Sequence, residues 1–179
     1  MLDFWFGAPS RERGRPRKLW FQKSEPFDAE VRRRFLTTWE RTARGEHERW
    51  QATPLASLAL IVVLDQFPRN MFRGTARSFA SDSLALAAAR ETIARGFDLL
   101  LSPVERLFIY LPFEHAEDLA AQRRSLALCH ALDPEDMQYA KRHYEVIARF
   151  GRFPHRNAIL GRQSTAEEAE FLKQPGSSF

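Results

Sequence analysis

Arginine dominates the polar side chains that could do chemistry in this chain. Two polar segments, residues 65–79 and 150–163, each contain Phe-Pro followed by Arg-Asn, and each follows a predicted long helix. Loops between rigid helices are where binding residues concentrate, and guanidinium groups bind carboxylate and phosphate in a bidentate manner. The arginines of the two segments are Arg69, Arg73, Arg77, Arg152, Arg156 and Arg162. This pattern indicates a polar groove for a small anionic molecule or an acidic peptide.

The same arginines could instead be structural. Basic side chains at helix ends stabilise the last carbonyls, and structural ion-pair networks use the same residue types as binding sites. The carboxylates available to pair with them are Asp65, Glu114, Glu117 and Asp118. Arg156 lies close to Gly151 and Pro154, so we expect it to tie helix ends together and to pair with a buried carboxylate. Arg69 and Arg73 lie on a longer, glycine-containing segment, so we expect them to be exposed and to bind.

A second polar group lies near the predicted break at residues 110–118. On a helix, Glu114, His115 and Asp118 would share one face. Such a group could be a general base oriented by a carboxylate, or two or three ligands of a metal ion. The H-E-x-x-H pattern is absent, His155 is the only partner from another segment, and a mixed Arg and carboxylate neighbourhood is not a typical metal shell. We therefore predict neither a metal nor another cofactor, and retain His115 and His155 as acid–base candidates.

Asn70 and Asn157 occupy matching positions, each directly after an arginine in one of the two segments. Asn can hold a turn by bonding to its own backbone, so the match could be purely structural. If the segments instead serve one purpose, both Arg-Asn pairs should approach each other and the turn that carries Glu114 and Asp118, with one of these carboxylates paired to an arginine. The candidate ligand-binding residues are Asp65, Arg69, Asn70, Arg73, Glu114, His115, Asp118, His155, Arg156, Asn157 and Arg162.

Helix signals cover most of the chain, and no stretch shows the period-2 alternation of a half-buried strand. Residues 55–64 are apolar almost all round, so we expect a central, buried helix. It should end by Phe67, because the residue before Pro68 is disfavoured in the α region. Pro112 should kink or split the stretch 103–132, and the two Phe-Pro segments should be non-helical. The predicted helix caps are Ser24, Thr53, Ser81, Ser102, Asp133 and Ser164.

Length and composition suit one globular domain over residues 1–179. Cys129 is the single cysteine, which excludes an intramolecular disulfide and a cysteine-based zinc site. The start carries Asp3 where a signal peptide would be basic, and the longest apolar run, residues 55–64, is shorter than the roughly 20 residues that span a bilayer. We therefore expect a cytoplasmic protein with no membrane segment. The basic stretch 11–18 lacks interleaved aromatic residues, so nucleic-acid binding is not predicted.

Long motifs distributed over the chain resemble a known family. They are L-D-F-W-F-G at 2–7, T-P-L-A-S-L-A-L at 53–60, L-D-Q-F-P-R-N at 64–70, P-F-E-H-A-E-D at 112–118 and G-R-F-P-H-R-N at 151–157. On these motifs the chain resembles the bacterial family of uncharacterised proteins catalogued as domain of unknown function 924. The resemblance implies an all-helical fold similar to tetratricopeptide-repeat domains, and it implies no activity. The roughly 34-residue period of such repeats is absent, so the likeness is one of fold only.

Taken together, these patterns predict an all-α fold of antiparallel helical hairpins packed around an apolar central helix, in a tetratricopeptide-like superhelical array. No motif determines the function or the oligomeric state. The leading hypothesis is a small helical binding domain with an Arg, Asn, His and carboxylate groove for a small anionic ligand or an acidic peptide. The alternative is a small enzyme that uses His115 or His155 as acid or base on an anionic substrate. An enzyme needs a histidine and a carboxylate within hydrogen-bond reach in a pocket, whereas a peptide binder needs an open concave face.

Overall fold

The computed structural model describes residues 1–8, 15–132 and 134–178, without the side chains of residues 48 and 134–136. Throughout these residues the chain forms helices, turns and loops and no β-strand, which confirms the all-α prediction. The α-helices are α1 (Leu2–Phe6), α2 (Glu25–Ala43), α3 (Pro54–Ile61), α4 (Phe67–Met71), α5 (Asp82–Ala94), α6 (Pro103–Glu114), α7 (Leu119–His130), α8 (Pro134–Phe150) and α9 (Ala166–Phe171). The predicted cap Asp133 and the first half of the basic stretch 11–18, residues 11–14, lie outside the described residues.

Local capping signals determine most of the helix starts. Ser24, Thr53 and Ser102 accept hydrogen bonds from first-turn amides of α2, α3 and α6, as predicted. Each of these bonds satisfies a backbone donor that has no partner within its helix. The prediction for the last helix was wrong by one residue, because Thr165 rather than Ser164 caps α9 and forms a capping box with the glutamate three positions later.

The central helix does not end before Pro68. After α3 the chain widens into a π-helical turn, Val62–Gln66, and then continues as α4, so the prediction of a non-helical segment was wrong over residues 65–71. The amide of Phe67 bonds five residues back, and Pro68 falls in the first turn of α4, where its missing amide hydrogen is not needed. The turn places Asp65 in the core with 0% of its surface exposed. Turns of this kind occur frequently at functional sites.

Pro112 lies inside α6, so the prediction that it interrupts the stretch 103–132 was wrong in position. The interruption follows α6 instead, where residues 115–118 form a turn. Asp118 ends this turn and caps α7 by accepting a hydrogen bond of 2.7 Å from an amide of the first helical turn. The carboxylate of Asp118 therefore has a structural partner within its own helix.

Helices that are neighbours in sequence pack against one another around a central segment made of α3, the π-turn and α4. Helix α2 packs on α4, α5 and α6 pack on α3, α7 packs on α6, and α8 packs on α7. Every side chain from Leu58 to Leu64 is buried, as expected for a helix that is apolar all round. In the described part of the chain, no helix has both the length and the apolar character needed to cross a membrane. The tetratricopeptide-like superhelical arrangement stays a prediction.

Candidate functional site

Five polar side chains from five elements lie together in what we call the His115–Arg156 site. They are Asp65 in the π-turn, Arg69 in α4, Asp82 at the start of α5, His115 directly after α6, and Arg156 in the 3-10 turn Pro154–Arg156 that follows α8. Each of these side chains exposes between 0% and 19% of its surface. One arginine of each Phe-Pro segment, Arg69 and Arg156, therefore lies in this site together with the turn after α6.

His115 and Asp65 are in direct contact, with 2.7 Å between the imidazole Nδ1 and the carboxylate Oδ1. The other carboxylate oxygen accepts a hydrogen bond of 2.6 Å from Gln66, and Arg69 lies 3.4 Å from Oδ1. Burial alone would raise the pKa of Asp65, but Arg69 and His115 lower it to about 2. The carboxylate is therefore ionised at neutral pH and holds the imidazole in one orientation.

Arg69 is committed to structural partners rather than exposed, so its expected exposure was wrong. Its guanidinium forms a bidentate pair with Asp82 at 2.8 and 3.0 Å and donates to the backbone carbonyl of Asp65 at 2.6 Å. Burial opposes the charge, but the two carboxylates hold the pKa of Arg69 above its ordinary value. Arg69 thus ties α4 to the start of α5.

Arg156 is buried and pairs with a largely buried carboxylate, as expected, but the contact is long. Its terminal nitrogen lies 3.5 Å from Asp82, whose oxygens already accept the two bonds from Arg69. Its guanidinium carbon lies 4.4 Å from the ring centre of Phe79 and 4.5 Å from that of Phe153. Within the described residues, its buried Nε has no hydrogen-bond acceptor. Burial and the charge of Arg69 lower the pKa of Arg156 to about 10.

Two further histidines lie beside the site. The ring of His143 is 6.4 Å from that of His115, and its Nδ1 lies 3.2 Å from a carboxylate oxygen of Glu114. Burial lowers the pKa of His143 to about 3, and burial together with Arg156 lowers that of His155 to about 4. Both rings are therefore neutral at pH 7. Glu114 approaches a histidine, so its predicted pairing with a motif arginine was wrong.

The acidic residue of the turn that pairs with a motif arginine is Glu117, not Glu114 or Asp118. Arg162 binds both of its oxygens, at 2.6 and 2.9 Å, and the amide of Phe153 donates to one of them at 2.8 Å. Burial opposes ionisation, but Arg162 lowers the pKa of Glu117 overall. This clamp holds the segment that carries Arg156 against the turn that carries His115.

The site reaches solvent through the edges of Arg69, Asp82 and His115, which each expose between 16% and 19% of their side-chain surface. Two surface depressions lie elsewhere, one beside Leu55 and the other beside Phe113, and neither includes a residue of the site. Across residues 1–8, 15–132 and 134–178, no three His, Cys, Asp or Glu side chains are grouped so that they could hold a metal ion.

Comparison with known proteins identifies the family but not the activity. A family model for bacterial proteins of unknown function, DUF924, matches residues 1–176. The chain belongs to this family. The solved structure of a protein of unknown function from Agrobacterium tumefaciens is 47% identical, with a TM-score of 0.84, over 86% of this chain and 88% of that chain. A comparison with curated proteins finds no match. The resemblance read from the motifs is confirmed, and the function has to be argued from the site.

The two asparagines of this DUF924 chain do not meet, so that part of the predicted convergence was wrong. The amide of Asn70 donates to Asp28 in α2 at 2.7 Å, and Arg73 binds the same carboxylate at 2.8 and 3.1 Å. The amide of Asn157 donates instead to Glu168 in α9 at 3.2 Å. Each asparagine therefore secures its own segment to a different helix.

Glu168 joins the end of α8 to α9. Its carboxylate accepts two hydrogen bonds from Arg152, at 2.6 and 2.8 Å, one from the amide of Thr165 at 2.8 Å and one from Asn157. The residue exposes only 2% of its surface. The bonds from Arg152 lower the pKa of Glu168 to about 2. This carboxylate is consequently a structural anchor for the segment that ends in the His115–Arg156 site.

Replacing Glu168 with Gln should destabilise the protein by about 1.5–3 kcal/mol at pH 7, because a charged acceptor of several hydrogen bonds is lost. The pKa of Glu168 is lowered in the folded state, so its contribution is complete above pH 4.5, its ordinary pKa, and declines as the pH falls towards 2. Urea melts of both proteins at several pH values measure this difference, which should shrink on acidification.

The matched control is Glu167→Gln, since Glu167 also pairs with an arginine, Arg149 at 2.7 Å, but exposes 61% of its side chain. Exposed pairs contribute about 0–1 kcal/mol. Equal losses for the two variants would contradict the role given to Glu168.

Among the residues of these clusters that sequence reasoning missed are Asp82, His143 and Asp28. Asp82 directly follows the predicted cap Ser81 at the N-terminus of α5, where a negative charge commonly stabilises the helix end. His143 lies in the middle of α8, and Asp28 lies in the first turn of α2, where an acidic residue is ordinary. No local pattern in this DUF924 sequence distinguishes them, because their partners come from distant segments.

Proposed function

We propose that the protein binds a small anionic ligand, a carboxylate or a phosphate, at the His115–Arg156 site. The observation that carries the proposal is the incomplete pairing of Arg156. The Arg156 side chain exposes 8% of its surface, and within the described residues its one carboxylate contact is that of 3.5 Å to Asp82. Buried charges normally have close partners, since an unpaired buried charge is costly.

The carboxylates of the site are already used by other groups. Both oxygens of Asp82 accept hydrogen bonds from Arg69, at 2.8 and 3.0 Å. The oxygens of Asp65 accept hydrogen bonds from His115 and Gln66. The lowered pKa of Arg156 has burial and repulsion by Arg69 as its main causes. A bound anion would compensate for both, because charge-assisted hydrogen bonds to a guanidinium are among the strongest in proteins.

The guanidinium is also held in a defined plane. Phe79 and Phe153 lie against it at 4.4 and 4.5 Å, so little side-chain freedom remains to be lost when an anion binds. The polar side chains of the site are each at least four-fifths buried, so only their edges are accessible from solvent. This geometry supports a small anion over an acidic peptide. A cytoplasmic location is part of the proposal and is supported by the single cysteine, Cys129, which allows no intramolecular disulfide.

Anion binding is tested with inorganic phosphate, acetate and succinate at constant ionic strength. A ligand that binds only the folded state raises its stability, so the wild-type Tm should rise with anion concentration. Replacing Arg156 with Met should weaken binding by about tenfold or more, because about 1.5–3 kcal/mol of charged hydrogen bonding is lost. Isothermal titration calorimetry of both proteins measures the change in Kd.

Arg77→Met is the matched control. Arg77 also lies against two aromatic rings, Trp39 at 5.0 Å and Phe72 at 4.3 Å, but it exposes 46% of its side chain and pairs with Glu40 at 2.8 Å. This variant should bind the anions as the wild type does. Equal weakening in both variants, or the same Tm rise with chloride, would mean that the anions act on the overall charge and that the site is not an anion-binding site.

A further inference from the structure

The pair of His115 and Asp65 has a geometry that anion binding by Arg156 does not require. Asp65 is ionised and fully buried, so it accepts, and the imidazole Nδ1 donates to it at 2.7 Å. The remaining nitrogen, Nε2, therefore carries the lone pair. Within the described residues Nε2 forms no hydrogen bond, and the His115 side chain keeps 16% of its surface exposed. A fixed imidazole with an available basic nitrogen is the arrangement of a general base.

We propose that this protein is a hydrolase in which His115 is the general base and Arg156 holds the anionic group of a small carboxylate-bearing ester. The proposal rests on the anion site proposed above. Contacts from Arg156 to Asp82, from Asp82 to Arg69, from Arg69 to Asp65 and from Asp65 to His115 form a continuous chain. Anchor and base consequently lie in one site, with solvent water at its edge.

The reaction needs only the ester and water. His115 Nε2 takes one proton from a water molecule as the water oxygen forms a bond to the ester carbonyl carbon. The bond between that carbon and the alcohol oxygen then breaks, and its electron pair leaves with the alcohol oxygen. The imidazolium returns the proton to this oxygen, so the products are a carboxylic acid and an alcohol and His115 is neutral again.

Asp65 is a positioning residue for this step, since it orients His115 and stabilises the imidazolium without contacting the substrate. The charged and titratable groups around His115 are Asp65, Arg69, Asp82 and His143. Burial and the charge of Arg69 keep the pKa of His115 below its ordinary value. His115 is thus unprotonated, and able to accept a proton, at neutral pH.

The neighbouring histidines are poorer bases. His143 exposes 8% of its side chain, and its Nδ1 lies 2.9 Å from a backbone carbonyl of α8. The pKa values of His143 and His155 are lowered to about 3 and about 4, mainly by burial, which weakens both as proton acceptors. The geometry therefore favours His115 over His155, the other candidate from the sequence.

The test compares para-acetoxybenzoate with its uncharged methyl ester, each corrected for hydrolysis without protein. Wild type should hydrolyse the anionic ester at least about tenfold faster, because only that ester offers Arg156 a partner. His115→Gln should lower kcat by about 100-fold and leave the Kd for benzoate within about twofold. His47→Gln, which changes a histidine that bonds to Thr42 away from the site, should keep the wild-type rate.

The pH profile separates catalysis from structure. In wild type, kcat/KM should rise with increasing pH to a plateau, and the midpoint of this rise should lie below pH 6.5, the ordinary histidine pKa. Asp65→Asn should lower kcat more than it changes KM. Benzoate binding without hydrolysis, or an unchanged rate in His115→Gln, would overturn the role of His115 as the catalytic base and leave the anion site standing. Equal hydrolysis of the two esters would overturn the role of Arg156 as the anchor of the substrate. If the folded wild type neither binds benzoate nor hydrolyses the anionic ester, both proposals are overturned.

Discussion

Replacing Asp65 with Ala should destabilise the protein by about 3–5 kcal/mol, because the variant leaves buried polar partners without their acceptor. Asp65 has 0% of its surface exposed, accepts bonds from His115 and Gln66 at 2.7 and 2.6 Å, and lies 3.4 Å from Arg69. Gln66 is buried, and Arg69 and His115 expose only 19% and 16% of their side-chain surface, so none of the three can be fully hydrated without local rearrangement. Urea denaturation at pH 7 measures the loss, with an unchanged m-value showing that the two-state unfolding is the same.

Two comparisons make this result specific. Glu30→Ala removes a carboxylate that pairs with Arg33 at 2.8 Å, but both side chains are exposed, so the loss of stability should be much smaller than in Asp65→Ala. The pKa of Asp65 is lowered to about 2, so its contribution is present above its ordinary value of 3.8 and is lost as the pH falls towards 2. The difference in the free energy of unfolding between wild type and Asp65→Ala should therefore become smaller in acid. If Asp65→Ala loses as little stability at pH 7 as Glu30→Ala does, Asp65 is not an important stabilising acceptor in the core.

Much of the fold is encoded locally, which is why the sequence predicts it. Ser24, Thr53 and Ser102 each act on an amide within their own helix, so their spacing from the following apolar residues is enough to place a helix start. The central helix is recognisable because residues 55–64 are apolar on all sides. The π-turn is not recognisable from the sequence, because Pro68 normally indicates a helix end. No residue pattern predicts a hydrogen bond from an amide to the carbonyl five residues earlier.

The site was predictable in its residue types but not in its pairings. Arg69 reaches Asp82 across 13 residues and Arg156 reaches it across 74. Such contacts depend on how the helices pack. The sequence contains several carboxylates near the arginines, and sequence alone does not determine which of them becomes the partner. Glu114 and Glu117 illustrate the difficulty, since the end of α6 directs one towards His143 and the turn directs the other towards Arg162. The prediction that the segments meet was therefore right, whereas the predictions of several individual pairs were wrong.

The two arginines that share Asp82 should respond to the same substitution in opposite ways. Arg69→Met should cost about 3–5 kcal/mol, because it removes the bidentate partner of Asp82 and the close cation beside the buried Asp65. Arg156→Met should stay within about 1 kcal/mol of wild type or be more stable, since exchanging a poorly paired buried charge for an apolar side chain is often neutral or stabilising. The unbranched methionine can occupy the space between Phe79 and Phe153.

The sign for Arg156 follows from its pKa, which is lowered in the folded protein to about 10 from 12.5. The folded state therefore disfavours the guanidinium charge relative to the unfolded state, and at pH 7 this charge costs stability. Urea melts of the two variants, at one salt concentration and without added anion, measure the contrast. A loss of about 3 kcal/mol or more in Arg156→Met, together with unchanged anion titrations, would show that Arg156 is a structural partner of Asp82. The opposite result, stability retained and anion binding lost, is the behaviour of a charge kept for a ligand at the expense of stability.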